Sequence, residues 1–252
     1  MLAVFDKSVA KCPEGLKNAE SEAINALKDD VLLHHFSSIH SGAVSINLAG
    51  AGIMAFSSDK QNPLLPRLFG AVDDIFCLFQ GNIENIASLK HLYGLTKTAN
   101  EVSIIIEAYR ALRDRGTNPA DHVLRSIEGK FAFIIFDGSA RITFISVDAD
   151  GGVPLFWGMD AEDSLVLSDD AEVVKKACGR SYAPFPKGCF FTSSGGLRSF
   201  EHPLKELKPV PWMDGSGQQC GSTYVVFEDS KKNPKQMGMP RVGSDADWSN
   251  QL

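Results

Sequence analysis

The chain has 252 residues, 44% of them hydrophobic and 22% charged, with a formal net charge of −6, which suits a globular protein with room for one large domain. An acidic balance without a basic stripe argues against a nucleic-acid partner, and the longest apolar runs, such as residues 131–136, fall far short of the ~20 residues that span a bilayer. Five cysteines, at 12, 77, 178, 189 and 220, are scattered and odd in number and form no CxxC pair; they read as free, mostly buried thiols of a reducing compartment, the cytoplasm or nucleus. The opening MLAVFDKSVAKC lacks the basic and apolar regions of a signal peptide.

In chain order, residues 2–5 predict a short strand. Helical spacing of Ala23, Ile24, Leu27, Val31 and His34 predicts a helix within 14–35. Residues 43–48 and 52–56 read as strands split at Gly50-Ala51-Gly52, and 57–71, with two prolines, as a loop. DIFCLFQ (74–80) predicts a strand covered on both faces, followed by a helix over 83–92 that stops at Gly94. Asn100 caps the next helix, with Val102, Ile105, Ile106, Tyr109 and Leu112 on one stripe and Gly116 at its end. Arg110, Arg113, Asp114 and Arg115 read as a solvated helix end whose cations suit the dipole. Asn118-Pro119 opens a further helix that Gly129 ends, its apolar face Val123, Leu124 and Ile127.

FAFIIF and ITFISV, joined by Asp137-Gly138-Ser139, predict a buried hairpin. Residues 155–158 and 164–167 predict a second strand pair, and Ser168-Asp169-Asp170 caps a short helix to Ala177. Residues 190–192 and 223–227 read as late strands, and Ser194-Gly195-Gly196 as a turn. The expected organisation is one domain over 1–229 and a disordered tail over 230–252. Strands apolar on both faces need cover on both sides, which places the chain in the α+β class. His34 and His35 point to different faces of a helix and do not converge with His40 on a metal. No metal or cofactor is expected.

Four segments, in order, resemble the class II glutamine amidotransferase domain of asparagine synthetase. LFQGNIENIASLK (78–90) is similar to the strand, turn and helix that carry its Asn-Gly oxyanion hole, and ANEVSIIIEAYRALRDRG (99–116) to its long helix with a Glu-Val pair, here Glu101-Val102. The hairpin over 128–158 resembles the one ending in an Asp-x-x-Gly-x-x-Pro-Leu loop, here Asp148, Gly151, Pro154 and Leu155. LVLSDDAEVVKKAC and FPKG (185–188) follow as the next strand, helix and turn. The resemblance implies the four-layer αββα sandwich of the N-terminal-nucleophile hydrolases. The YGL (93–95) and LRDR (112–115) motifs are similar, more closely, to a plant family of aluminium-induced proteins that includes stem-specific and auxin-responsive members.

The resemblance to the glutamine amidotransferase domain also implies where catalysis would sit, and the residues there have changed. Amide hydrolysis would need a cysteine at position 2, freed by removal of Met1, with its α-amine as base; the chain has Leu2, and a bulky second residue disfavours that removal. The oxyanion Asn becomes Gln80, although Gly81 is kept; the substrate-carboxylate Arg becomes Ser41; the acid facing the substrate amine becomes Ala99. Loss of a nucleophile alone costs about 10⁴–10⁶ in kcat. The expectation is a catalytically inactive amidotransferase-like protein, a stress- or hormone-responsive binding or scaffold protein. Gln80, Gly81, Asn82 and Asn85 would line the old pocket for a small polar ligand, with a homodimer or an unknown protein as partner. The alternative is an amide hydrolase with altered chemistry that uses a side-chain nucleophile, Cys77 or Cys189.

Overall fold

A strand as apolar as FAFIIF must be covered on both faces, and the structure covers it with four layers. The structure is a computed structural model that describes residues 1–18, 29–59, 61–116 and 119–227. Its strands are β1 (Leu2–Phe5), β2 (Val44–Asn47), β3 (Gly52–Phe56), β4 (Arg67–Val72), β5 (Ile75–Ile83), β6 (Gly129–Asp137), β7 (Ile142–Val147), β8 (Phe156–Met159), β9 (Leu165–Ser168), β10 (Tyr182–Pro184), β11 (Cys189–Thr192), β12 (Gly196–Ser199), β13 (Leu207–Met213) and β14 (Gln219–Val226). Its helices are α1 (Asp29–Ile39), α2 (Ile86–Leu92), α3 (Glu101–Arg115), α4 (Ala120–Arg125) and α5 (Ala171–Cys178). One six-stranded sheet runs β10-β8-β9-β1-β3-β2 and the other β12-β11-β7-β6-β5-β4, while β13 and β14 form a separate hairpin.

Side-chain alternation along each strand sorts the core into three parts. Met1, Ala3, Phe5, Met54, Leu78, Ile134 and Trp157 fill the space between the sheets. Phe79, Phe133, Val102, Ile105 and Ile106 pack the second sheet against α2, α3 and α4. Leu2, Val4, Leu32, Phe36 and Val174 pack the first sheet against α1 and α5. This is the αββα sandwich, and β1 lies in the middle of its sheet, antiparallel to both β3 and β9.

Several boundaries differ from the sequence reading, each for a local reason. Residues 67–72 are strand β4 rather than loop, in unbroken register with β5 from Arg67↔Gln80 to Val72↔Ile75; the prolines that signalled a loop lie before it. Strand β5 runs on to Ile83, paired with Gly129, so α2 starts three residues later than its spacing implied. In α1 the buried residues are Leu32 and Phe36, with Val31 half exposed; Ala23, Ile24 and Leu27 lie outside the described residues, as do Asn118 and the 230–252 tail. Gly129 opens β6 instead of closing a helix. The Asn100 cap holds, its side chain accepting from the Ser103 N–H. Ser193–Gly195 is a turn between the paired strands β11 and β12, as the glycines implied.

The LRDR segment does more than end a helix. Arg113 Nη1 donates to Asp137 Oδ2 at 2.9 Å, the Tyr109 hydroxyl donates to the same oxygen at 3.0 Å, and the Ala140 N–H donates to Oδ1 at 3.0 Å. Burial pushes the Asp137 carboxyl up, but Ala140, Arg113 and Tyr109 outweigh it and hold the group below its ordinary value. α3 is thereby fastened to the β6–β7 turn. Asp137→Ala leaves a cation and a phenol without their acceptor and is expected to cost about 3 kcal/mol, against about 1 kcal/mol for Tyr109→Phe. Urea denaturation of the two variants measures the difference.

Candidate functional site

The positions that would serve glutamine chemistry can be followed from β1. Leu2 is fully buried, but with Val4 it faces the outer layer under α1 and α5; Met1, Ala3 and Phe5 face the gap between the sheets. A thiol at position 2 would therefore lie on the wrong side of its sheet. The Met1 α-ammonium instead meets Asp169 Oδ1 at 2.5 Å. Asp169 follows β9, and its other oxygen accepts from Arg67 Nε at 2.7 Å and Nη2 at 2.6 Å across the gap. The third guanidinium nitrogen, Nη1, donates to the Asp59 carbonyl at 3.1 Å. Burial pushes the Asp169 carboxyl up, but the Met1 ammonium and the Arg67 guanidinium prevail and hold it below the usual carboxylate range.

Gln80 pairs with Arg67 across β4 and β5. It faces the gap on the same side of β5 as Leu78, it is buried, and its Oε1 has no hydrogen-bond partner. His40, also buried, has no partner for either ring nitrogen. Burial and then the Met1 and Arg67 cations push its pKa below the ordinary value, so it is a neutral imidazole at pH 7.

The other candidates do not join Gln80. The Gly81 N–H donates to the Pro66 carbonyl at 3.1 Å, so it is not free for an oxyanion. Asn82 is exposed at the end of β5. Asn85 spends both ends of its amide on the loop before β6: Nδ2 donates to the Ser126 carbonyl at 2.8 Å and Oδ1 accepts from the Glu128 N–H at 3.1 Å. Ser41 is exposed and binds through its backbone, its N–H donating to Asp59 Oδ2 and its carbonyl accepting from Ser57. Ala99 belongs to the turn before α3, its N–H donating to the Thr96 carbonyl. Sequence reasoning missed Arg67 and Asp169 as the charged pair of the site. Arg67 lay in the segment expected to be a loop, and Asp169 was read only as part of a helix cap.

Asp148 turns out to be an organiser of its loop. Its carboxylate accepts from the N–H groups of Phe131, Asp150 and Gly152, which explains an Asp at the head of an Asp-x-x-Gly segment with Gly151 at φ 69°. All five cysteines are free. Cys77 is fully buried in the layer beneath α3 and burial pushes its thiol up. Cys189 is likewise buried and pushed up to about 12. Neither environment makes a thiolate. Among the described residues no cluster of three metal-ligating side chains occurs, and no helix is long and apolar enough to cross a membrane.

A family model described as aluminium induced protein matches residues 2–226. The chain belongs to the aluminium-induced protein family. Within reach of that family, the stem-specific protein TSJT1 of Nicotiana tabacum is 38% identical over 148 residues, which are 58% of this chain and 99% of the tobacco protein. Asparagine synthetase B of Escherichia coli (strain K12) is 27% identical over 126 residues, 48% of this chain and 21% of the enzyme. A probable glutamine-hydrolyzing asparagine synthetase of Dictyostelium discoideum is 29% identical over 108 residues, 43% of this chain and 17% of that protein. The chain thus spans about a fifth of the synthetases it matches. Among solved structures, the glutamine phosphoribosylpyrophosphate amidotransferase of B. subtilis superposes with a TM-score of 0.51 and 13% identity, over 81% of this chain and 50% of that one. That likeness establishes the fold that this family member shares with glutamine amidotransferases.

Proposed function

We propose that this member of the aluminium-induced family is a catalytically inert amidotransferase-like domain, used as a stress- or hormone-responsive binding or scaffold protein of the cytoplasm or nucleus. One observation carries the reading: the polar end of the inter-sheet gap is closed on itself. Asp169 accepts from both the Met1 ammonium and the Arg67 guanidinium, so Arg67 is already engaged and is not presented to a substrate carboxylate. Leu2, in the outer layer, and the Gly81 N–H, given to Pro66, support the same reading, because neither position offers glutamine a nucleophile or an oxyanion donor.

The test is a glutaminase assay on the full chain and on Leu2→Cys. Both are expected to release no more ammonia than a heat-killed control, since the residue at position 2 faces the outer layer. An electrophilic amide probe is expected to label neither Cys77 nor Cys189 in the folded protein. Turnover of glutamine by the native chain would overturn the reading. Labelling at either thiol, lost on its mutation to Ala, would turn it toward an amide hydrolase.

A further inference from the structure

The two sheets do not close on each other along one side. There the edge strands β2 and β4 stand opposite each other, and between them lies a cavity of about 360 Å³, at the small end of the roughly 300–1,000 Å³ of ligand pockets. Val44, Ile46, Met54, Phe56, Phe69 and Leu78 line it. Val44, 60% exposed, stands at its mouth. Along β4 and β5 the lining pair Phe69↔Leu78 is followed, two residues on, by Arg67↔Gln80. Arg67 and Gln80 do not line the cavity themselves; they form the next pair on the same face beyond its lining.

The chemistry of that pair selects the ligand. Arg67 is held on Asp169 through Nε and Nη2 and on the Asp59 carbonyl through Nη1, so an anionic head group would have to displace Asp169 from it. Beside Arg67 on the paired strand stands an acceptor, Gln80 Oε1, on a side chain only 6% exposed and without a partner, as the ring nitrogens of the nearby buried His40 also are. A buried acceptor without a donor is costly, and a bound donor removes that cost. We infer that the gap between β2 and β4 binds a small, uncharged, largely apolar molecule that carries one hydrogen-bond donor, an N–H or O–H, which it donates to Gln80 Oε1. This deepens the reading of the chain as a binding protein by naming the class of its ligand.

N-phenyl-1-naphthylamine has these properties: it is an uncharged fluorophore with one N–H. Titrated into the full chain it is expected to give a saturable, one-site rise in fluorescence. Its N-methyl derivative, which has no donor, is expected to bind about fivefold more weakly, and 8-anilinonaphthalene-1-sulfonate, the same skeleton with a sulfonate, more weakly still. Val44→Trp, at an exposed position, should block the mouth and weaken binding at least about tenfold. Gln80→Leu should keep binding but erase the preference for the N–H compound. Absence of saturable binding, tighter binding of the sulfonate, or a Val44→Trp protein that binds as well as the native chain would overturn the proposal. So would binding confined to a dimeric fraction on gel filtration, which would make the gap an interface between copies. The glutaminase assay separates the two readings: turnover with the probe bound defeats inertness and leaves the site standing, while no turnover and no binding defeats the site alone.

Discussion

Asp169→Ala is expected to lower stability by about 3–5 kcal/mol, the cost of removing one partner from a buried ion pair, and the melting temperature by on the order of 10 °C for a chain of this size. The size of the effect follows from how much one carboxylate holds. Its side chain is 3% exposed and that of Arg67 12%. The variant leaves the Arg67 guanidinium with a carbonyl alone, in a place that water reaches poorly. Replacing Arg67 as well, as Arg67→Met with Asp169→Leu, is expected to recover only part of the loss, because the Met1 ammonium stays buried without its carboxylate. Thermal and urea unfolding of the single and double variants measure the coupling. The same carboxylate sets an acid limit. Its pKa is lower in the folded than in the unfolded protein, so its contribution is complete above the unfolded value of about 3.9 and is lost as pH falls through the folded value. Stability of Asp169→Ala should accordingly fall less between pH 4 and lower pH than that of the native chain.

Gly81→Ala is expected to be as damaging, on the order of 4 kcal/mol, for a reason that lies wholly in the backbone. Gly81 sits near the end of the β5–β6 ladder opposite Phe131 with φ at +134°, where an L side chain is strained. A Cβ there would lie 2.0 Å from the Lys130 carbonyl oxygen and 2.8 Å from the Phe131 Cα, backbone atoms of a strand held in register with β5. Gly116 provides the control. It also has positive φ, at +56°, but nothing stands within 4 Å of its Cβ position, so Gly116→Ala should cost about 1 kcal/mol. Equal losses at the two positions in urea unfolding would show that the close approach of β5 to β6 does not matter.

Gly81 also shows how one residue can fit two explanations. Resemblance placed it in an oxyanion hole; in this chain its presence is accounted for by strand packing, with its N–H given to Pro66. Strands with uniform apolar runs, such as FAFIIF, and helices with clear caps at Asn100 and Asp170 were legible, because local chemistry alone specifies them. β4 was not, since Arg67–Val72 has weak alternation and is made a strand by β5. Arg67, Asp169 and Asp137 share the same difficulty. Their partners are 102 and 24 residues away in the chain, and nothing in the neighbourhood of a charged residue tells which distant charge it will meet. Gln80 was legible as a departure from the family pattern, but its empty acceptor became visible only with the gap around it.

The placement of β1 has a consequence for how the protein is made. Its neighbours are Gly52–Phe56 on one side and Leu165–Ser168 on the other. As the chain leaves the ribosome, LAVF can pair early with the first of these but must wait for more than a hundred further residues before the second exists. Until then the middle of a sheet is an open, apolar edge. At roughly 5–20 residues per second of synthesis, that edge is bare for several seconds. Contacts of such long sequence separation also slow the final closure. The newborn chain is therefore most exposed to aggregation, and most in need of a chaperone, between the completion of the β2–β3 hairpin and the arrival of β9.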